Sequence, residues 1–148
     1  TACNCDIENI KVEGFESKSD SINGLKRGPN IIYLFKVDNL KICHLGYLGE
    51  FINNELIKIL HNADILFIPI GGNLCLNGID AYSLSEKLNA KYIIPMCYKN
   101  NYSNFYFNGP KDFLSSCKNV VSVKTDTVYF SDFYNNTLPS TILMHNGL

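Results

Sequence analysis

The stretch Leu40-Lys41-Ile42-Cys43-His44-Leu45-Gly46-Tyr47-Leu48-Gly49, followed by Leu66-Phe67-Ile68-Pro69-Ile70-Gly71-Gly72 and Ile93-Ile94-Pro95-Met96-Cys97-Tyr98-Lys99, decides the fold. Each segment is a short, nearly unbroken apolar run that stops at glycine or at a polar residue. The runs at residues 64–70 and 92–96 are too short for a helix and read as buried strands. Between them lie amphipathic stretches. Asn53 can cap a short helix whose Leu56, Ile57 and Leu60 form one apolar face, and Asp80 is expected to cap a second with Ala81, Leu84 and Leu88 turned inward. Strands that alternate with helices in this way define an α/β domain.

Working outward, residues 30–37 and 40–45 are apolar runs joined across Asp38-Asn39, a hairpin signal. That hairpin makes the sheet mixed rather than wholly parallel. Residues 7–15 alternate and read as a strand or strand pair, and the polar residues 16–28 read as a loop. Gly109-Pro110 is expected to start a third helix with proline at its first position and Phe113, Leu114 and Cys117 facing the core. Residues 120–123, 127–130 and 141–144 complete the set of short strands.

Composition narrows the functional classes. A chain of 148 residues that is 46% hydrophobic can bury one core, and the expectation is a single domain over residues 1–148. A net charge of −1 with scattered lysines carries no electrostatic footprint for nucleic acid. No apolar run approaches the roughly eighteen residues of a membrane span, so no membrane partner is expected. The six cysteines show no paired metal spacing, and reduced, mostly buried thiols in a cytoplasmic protein are the expectation. Cys3-Asn4-Cys5 reads as part of a frayed terminus. Asn101-Tyr102-Ser103 and Asn135-Asn136-Thr137 match the glycosylation acceptor pattern, which matters only in a secreted protein.

Several motifs occur in a fixed order: Arg27-Gly28-Pro29-Asn30, Cys43-His44-Leu45-Gly46, Ile68-Pro69-Ile70-Gly71-Gly72, Ile79-Asp80-Ala81 and Ile94-Pro95-Met96. Together they resemble the short metal-dependent hydrolases of the metallo-β-lactamase superfamily between residues 19 and 99. The resemblance implies a four-layer αββα sandwich, of which this chain supplies the C-terminal half: a half or truncated sandwich, with a mixed sheet and helices on one face. It also implies a metal centre held largely by an N-terminal His-x-His-x-Asp-His segment. That segment is absent from these 148 residues, whose three histidines are His44, His61 and His145.

The resemblance assigns further ligands to this half, and all three positions depart from it. Where the family has histidine before the loop aspartate, aligned here with Asp20, this chain has Ser19. The bridging aspartate after His-Leu-Gly is Tyr47, a phenol with an ordinary pKa of about 10. The last histidine, before Tyr-Lys, is Cys97, the one replacement that zinc would tolerate. A water activated by metal needs three or four ligands to hold the ion, so the expectation is no metal cofactor and no catalytic residue.

Other side chains could serve a remnant pocket: Asp20, Arg27, Asn30, His44 and Tyr98. Ser19 as a nucleophile would need a base such as His44 within reach, and a polar loop serine is the preferred reading. Cys97 is read as a structural cysteine rather than a reactive thiol. Arg27 and Asn30 could contact an anion, but such residues more often tie a loop down. Tyr98, Tyr102, Phe105, Tyr106 and Phe107 form either a binding patch or a cover for the core.

Two functions follow. In the first, the chain is a non-catalytic relative acting through binding or assembly, because half a sandwich leaves one apolar sheet face for a partner to cover. Self-association or an upstream half-domain would supply that cover. In the second, the chain is the C-terminal part of a metal-dependent hydrolase using zinc or manganese, whose metal-binding half lies upstream or on a partner. The Thr1 start leaves room for such a segment.

Overall fold

The hairpin at Asp38-Asn39 and the buried runs after it join two kinds of sheet into one. The computed structural model describes residues 3–100, 106–125, 127–133 and 139–144. Its strands are β1 (Cys3–Ile7), β2 (Ile10–Lys18), β3 (Pro29–Val37), β4 (Leu40–His44), β5 (Ile65–Pro69), β6 (Tyr92–Met96), β7 (Val120–Val123) and β8 (Ser140–Met144). They form an eight-stranded sheet in the order β1-β2-β3-β4-β5-β6-β8-β7. The first four pair antiparallel, as hairpins allow, whereas β4 through β7 run parallel. A mixed α/β sheet is what the sequence predicts.

Helices α1 (Asn54–Leu60), α2 (Gly78–Leu88) and α3 (Lys111–Leu114) cover one face. Leu60, Ala81, Leu84, Leu88 and Phe113 from these helices form one core with Ile32, Leu34, Cys43, Leu66, Ile68 and Ile93 from the sheet. Period-two alternation turns the intervening residues to the opposite face. There Val128 and Phe130 pack over Ile65, Tyr92, Ile94 and Ile142, with the Tyr92 and Phe130 rings 4.7 Å apart. Further along that face Tyr33, Phe35, Ile42, His44 and Phe67 are only half-buried. This is one sheet and one helical layer of the sandwich that the resemblance implies.

Several expectations need correction. Asn77, not Asp80, caps α2: the Asp80 backbone N–H donates to Asn77 Oδ1 at 2.9 Å, while Asn77 Nδ2 donates to the Asp80 carboxylate at 2.8 Å. This reciprocal pair is a capping box, which puts the acidic residue inside the first turn. The Asn53 cap on α1 stands as predicted, its Oδ1 accepting from Leu56 N–H at 2.8 Å. Strand β2 runs to Lys18, because Glu16, Ser17 and Lys18 find partners in Ile31, Asn30 and Pro29. The Cys3-Asn4-Cys5 segment is not frayed but pairs with β2. Residues 127–130 are not a strand, since Val128 and Phe130 serve as cover for the sheet face, and a 3-10 turn follows at Phe130–Phe133. Pro110 sits just before α3, whose four residues end ahead of Cys117. His145, Phe105 and both glycosylation patterns, Tyr102 among them, lie outside the described residues.

Candidate functional site

The parallel strands β4, β5 and β6 all end on one side of the sheet, and the segments that leave them meet the end of β2 there. Open α/β sheets bind ligands at the carboxyl ends of their strands because loops from several strands converge at that edge. Close backbone packing makes the convergence possible. The Gly49 N–H donates to Lys18 C=O at 2.9 Å, and Asn108 N–H donates to Gly71 C=O at 2.6 Å. At both glycines a side chain would run into neighbouring backbone, that of Ser19 at Gly49 and that of Cys97 at Gly71.

Asp20 organises the loop after β2. Its Oδ1 accepts from the N–H groups of Ile22 (3.1 Å) and Gly24 (2.8 Å), and its Oδ2 from those of Lys26 (3.1 Å) and Arg27 (2.7 Å). Burial opposes ionisation of this carboxyl, but the four donors together hold it below the ordinary carboxylate range. The sign of the resulting pH effect follows. A depressed folded-state pKa adds stability above the unfolded value of about 3.9 and loses it as pH falls further. The melting temperature of the protein should therefore exceed that of Asp20→Asn by a constant margin from pH 8 to pH 5, and the margin should shrink below about pH 4. Thermal melts across that range, followed by circular dichroism, check this.

Ser19, beside it, is buried, and its Oγ donates to Pro29 C=O at 3.4 Å. Asn30 is a tie between three segments: Nδ2 donates to Ser17 Oγ (2.8 Å) and Leu45 C=O (3.0 Å), and Oδ1 accepts from Tyr47 N–H (2.8 Å). His44 Nδ1 accepts from Gly46 N–H at 3.1 Å, and its ring lies 5.6 Å from that of Phe67. Burial holds His44 below its ordinary pKa, so the ring is neutral at pH 7. Among the described residues no hydrogen bond joins His44 to Ser19.

Tyr47 and Cys97, distant in sequence, meet. Strand β6 ends at Met96, and Cys97 directly after it is in the left-handed conformation, φ 55°, which is uncommon outside glycine. The Tyr47 hydroxyl reaches the Cys97 thiol, and its ring stacks on Phe107 with centroids 6.4 Å apart. The charge that Cys97 would carry, together with burial, pushes the Tyr47 phenol up. Burial pushes the Cys97 thiol up as well, against the opposing contact from Tyr47. Cys75 joins them: burial raises its thiol to about 11 and the nearby Cys97 adds to the rise, while the Arg27 guanidinium works the other way. At neutral pH all three groups keep their protons.

Of the candidate residues, Asp20 and Arg27 line a common cleft, Asn30 ties down the Tyr47 segment, and Tyr98 packs on the core with its hydroxyl 3.4 Å from Met144 C=O. His44 keeps to its own turn. Sequence reasoning missed Cys75 and the Tyr47–Phe107 stack. The Gly71-Gly72 pair that swings the chain back from β5 was the only signal that Cys75 would return to this edge. Among the described residues no three His, Cys, Asp or Glu side chains converge as metal ligands.

Comparison with known proteins places these features in context. The model of the β-lactamase superfamily domain matches residues 2–97. A metal-dependent hydrolase of Polynucleobacter asymbioticus is 33% identical over 85 residues, covering 56% of this chain and 30% of its own length. One from Staphylococcus aureus is 35% identical over 101 residues, covering 64% of this chain and 44% of its own. The chain thus spans less than half the length of these curated relatives. A solved Thermotoga maritima protein of the metallo-β-lactamase superfamily superposes with a TM-score of 0.76 at 26% identity, over 96% of this chain and 68% of that one. A metallo-β-lactamase fold protein from Bacillus subtilis shares the fold at 6% identity, with a TM-score of 0.59 over 98% of this chain and 50% of its own.

Proposed function

This chain belongs to the β-lactamase superfamily, and from that premise we propose that it is a member that binds and assembles rather than hydrolyses. The observation that carries the reading is the contact between Tyr47 and Cys97. These side chains stand where the family resemblance calls for a bridging carboxylate and a terminal histidine.

The donor chemistry does not fit a divalent metal centre. Metal ligands bind deprotonated, yet the charge that Cys97 would carry, together with burial, raises the Tyr47 phenol, and burial raises the Cys97 thiol. Both Asp20 oxygens already accept backbone N–H groups, and the Ser19 hydroxyl is turned to Pro29. Assembly is supported by the opposite end of the molecule, where the sheet face at β1–β4 leaves Ile7 59%, Leu40 46% and Ile10 38% exposed. Apolar side chains in a row on a sheet face need a cover. Here a second copy of the chain or an upstream half-domain provides it.

A second reading is the hydrolase one, favoured by the names and greater lengths of the curated relatives. In it, another segment brings most of the metal ligands. The two readings part on a single measurement: metal content by plasma mass spectrometry, with solution mass by light scattering, on the protein as its gene encodes it, after dialysis against zinc and then manganese. The binding reading predicts substoichiometric metal and a covered sheet face. One zinc or manganese ion per chain that survives dialysis, with hydrolysis of a phosphodiester or ester probe, overturns it.

A further inference from the structure

We propose that the cleft between the Asp20 loop, the Gly49–Phe51 turn and the segment leading into α2 binds a small molecule through one oxyanion group, with Arg27 and Lys26 as the recognising cations. This inference stands apart from the fate of the metal ligands. The cleft has a volume of about 340 Å³, within the range of small-molecule sites. Ile22, Phe51 and Leu76 give it apolar surface, and Asn73 adds an amide.

The cations are what single it out. Among the described residues the ion pairs are those of Glu13 with Lys11 and Lys36, so neither Lys26 nor Arg27 is neutralised by a carboxylate. Their backbones are fixed even so, because both N–H groups donate to the same Asp20 oxygen. Two adjacent, like-charged side chains are thereby held at the mouth of one cleft. An anion seated there meets both cations, and little loop ordering remains to oppose binding.

Three carboxylates also line the cleft, and two of them are already engaged. Asp20 is surrounded by backbone donors, and Asp80 accepts from Asn77 within the first turn of α2, where the helix dipole favours a negative charge. Glu50 is the third. Its charge disfavours a second anionic group on the ligand, which limits the class to molecules with a single anionic end. A guanidinium recognises phosphate and carboxylate by the same forked geometry, so both sources share this chemistry.

Titration of the ¹⁵N-labelled protein with inorganic phosphate, and separately with succinate monomethyl ester, tests the proposal. Saturable shifts are expected at backbone amides 22–27 and 73–77 for at least one of the two ions, and the one that saturates identifies the source. Arg27→Ala should weaken binding roughly tenfold, Arg27→Lys less, and Lys36→Ala on the far part of the sheet not at all. Binding should also weaken as salt rises, since both cations are exposed. Because Arg27 is exposed, its replacement leaves the fold intact, which a thermal melt verifies. Failure of both ions to saturate, or equal affinity in Arg27→Ala and Lys36→Ala, overturns the proposal.

Discussion

Gly49→Ala is expected to destabilise the protein by on the order of 3 kcal/mol and to loosen the whole site edge. A methyl group at this position overlaps the Ser19 carbonyl and stands 2.7 Å from Asp20 N. Both neighbours are backbone, so no side-chain rotation relieves the overlap. Retreat of the Ser19 segment would break the bond from Gly49 N–H to Lys18 C=O and pull Asp20 away from its four donors. Gly71→Ala should act similarly, since the new methyl meets the Cys97 carbonyl and lies 2.9 Å from Phe107 Cβ. Gly109→Ala is the control, with nothing within 4 Å, and should change stability by less than about 0.5 kcal/mol. Urea unfolding of the three variants measures the contrast. Equal stability of Gly49→Ala and Gly109→Ala would mean that the strands do not approach as closely as the structure has them.

Asn30→Ala should cost roughly 2–3 kcal/mol, far more than a typical surface asparagine. The amide joins Ser17, Leu45 and Tyr47, and its loss leaves three polar groups without their partner in a half-buried setting. The effect reaches the site as well. Tyr47 N–H is held by Asn30 Oδ1, so removing the amide frees the Tyr47 segment from its place against Cys97. The thiol of Cys97 should then react faster with a maleimide than in the parent protein at pH 8, while Cys43, raised by burial to about 12, stays inert in both. Mass spectrometry after timed labelling reads this directly. An unchanged Cys97 rate in a folded Asn30→Ala protein would show that the tie does not govern the pair.

Both predictions concern residues whose roles were unequally legible. The apolar runs of β5 and β6 and the Asn53 cap of α1 follow from local rules, because burial on two faces and a satisfied first turn leave few other choices. The Asp80 cap failed on a local rule too. Asparagine three residues earlier competes for the same turn, and the reciprocal bond between the two places the acid inside the helix. Residues 127–130 failed for a non-local reason: their alternation suits a strand, but Phe130 is held over Tyr92 as a cover for the sheet. Nothing within four residues of Phe130 could have told the two apart.

At the site the same division holds. The resemblance assigns ligand positions to Ser19, Tyr47 and Cys97, and the residue types standing there are legible from the sequence alone. What those residues do instead is not. That Asp20 gathers four backbone donors, that Tyr47 rests against Cys97 and Phe107, and that Lys26 and Arg27 overhang a cleft with Glu50 and Asn73 all depend on strands brought together across tens of residues. Hydrophobic periodicity is a property of neighbours along the chain and determined the elements, as the ordered motifs between residues 19 and 99 carried the family likeness. Protonation, hydrogen-bond partnership and the shape of a cleft are properties of neighbours in space, and only the folded chain decided them.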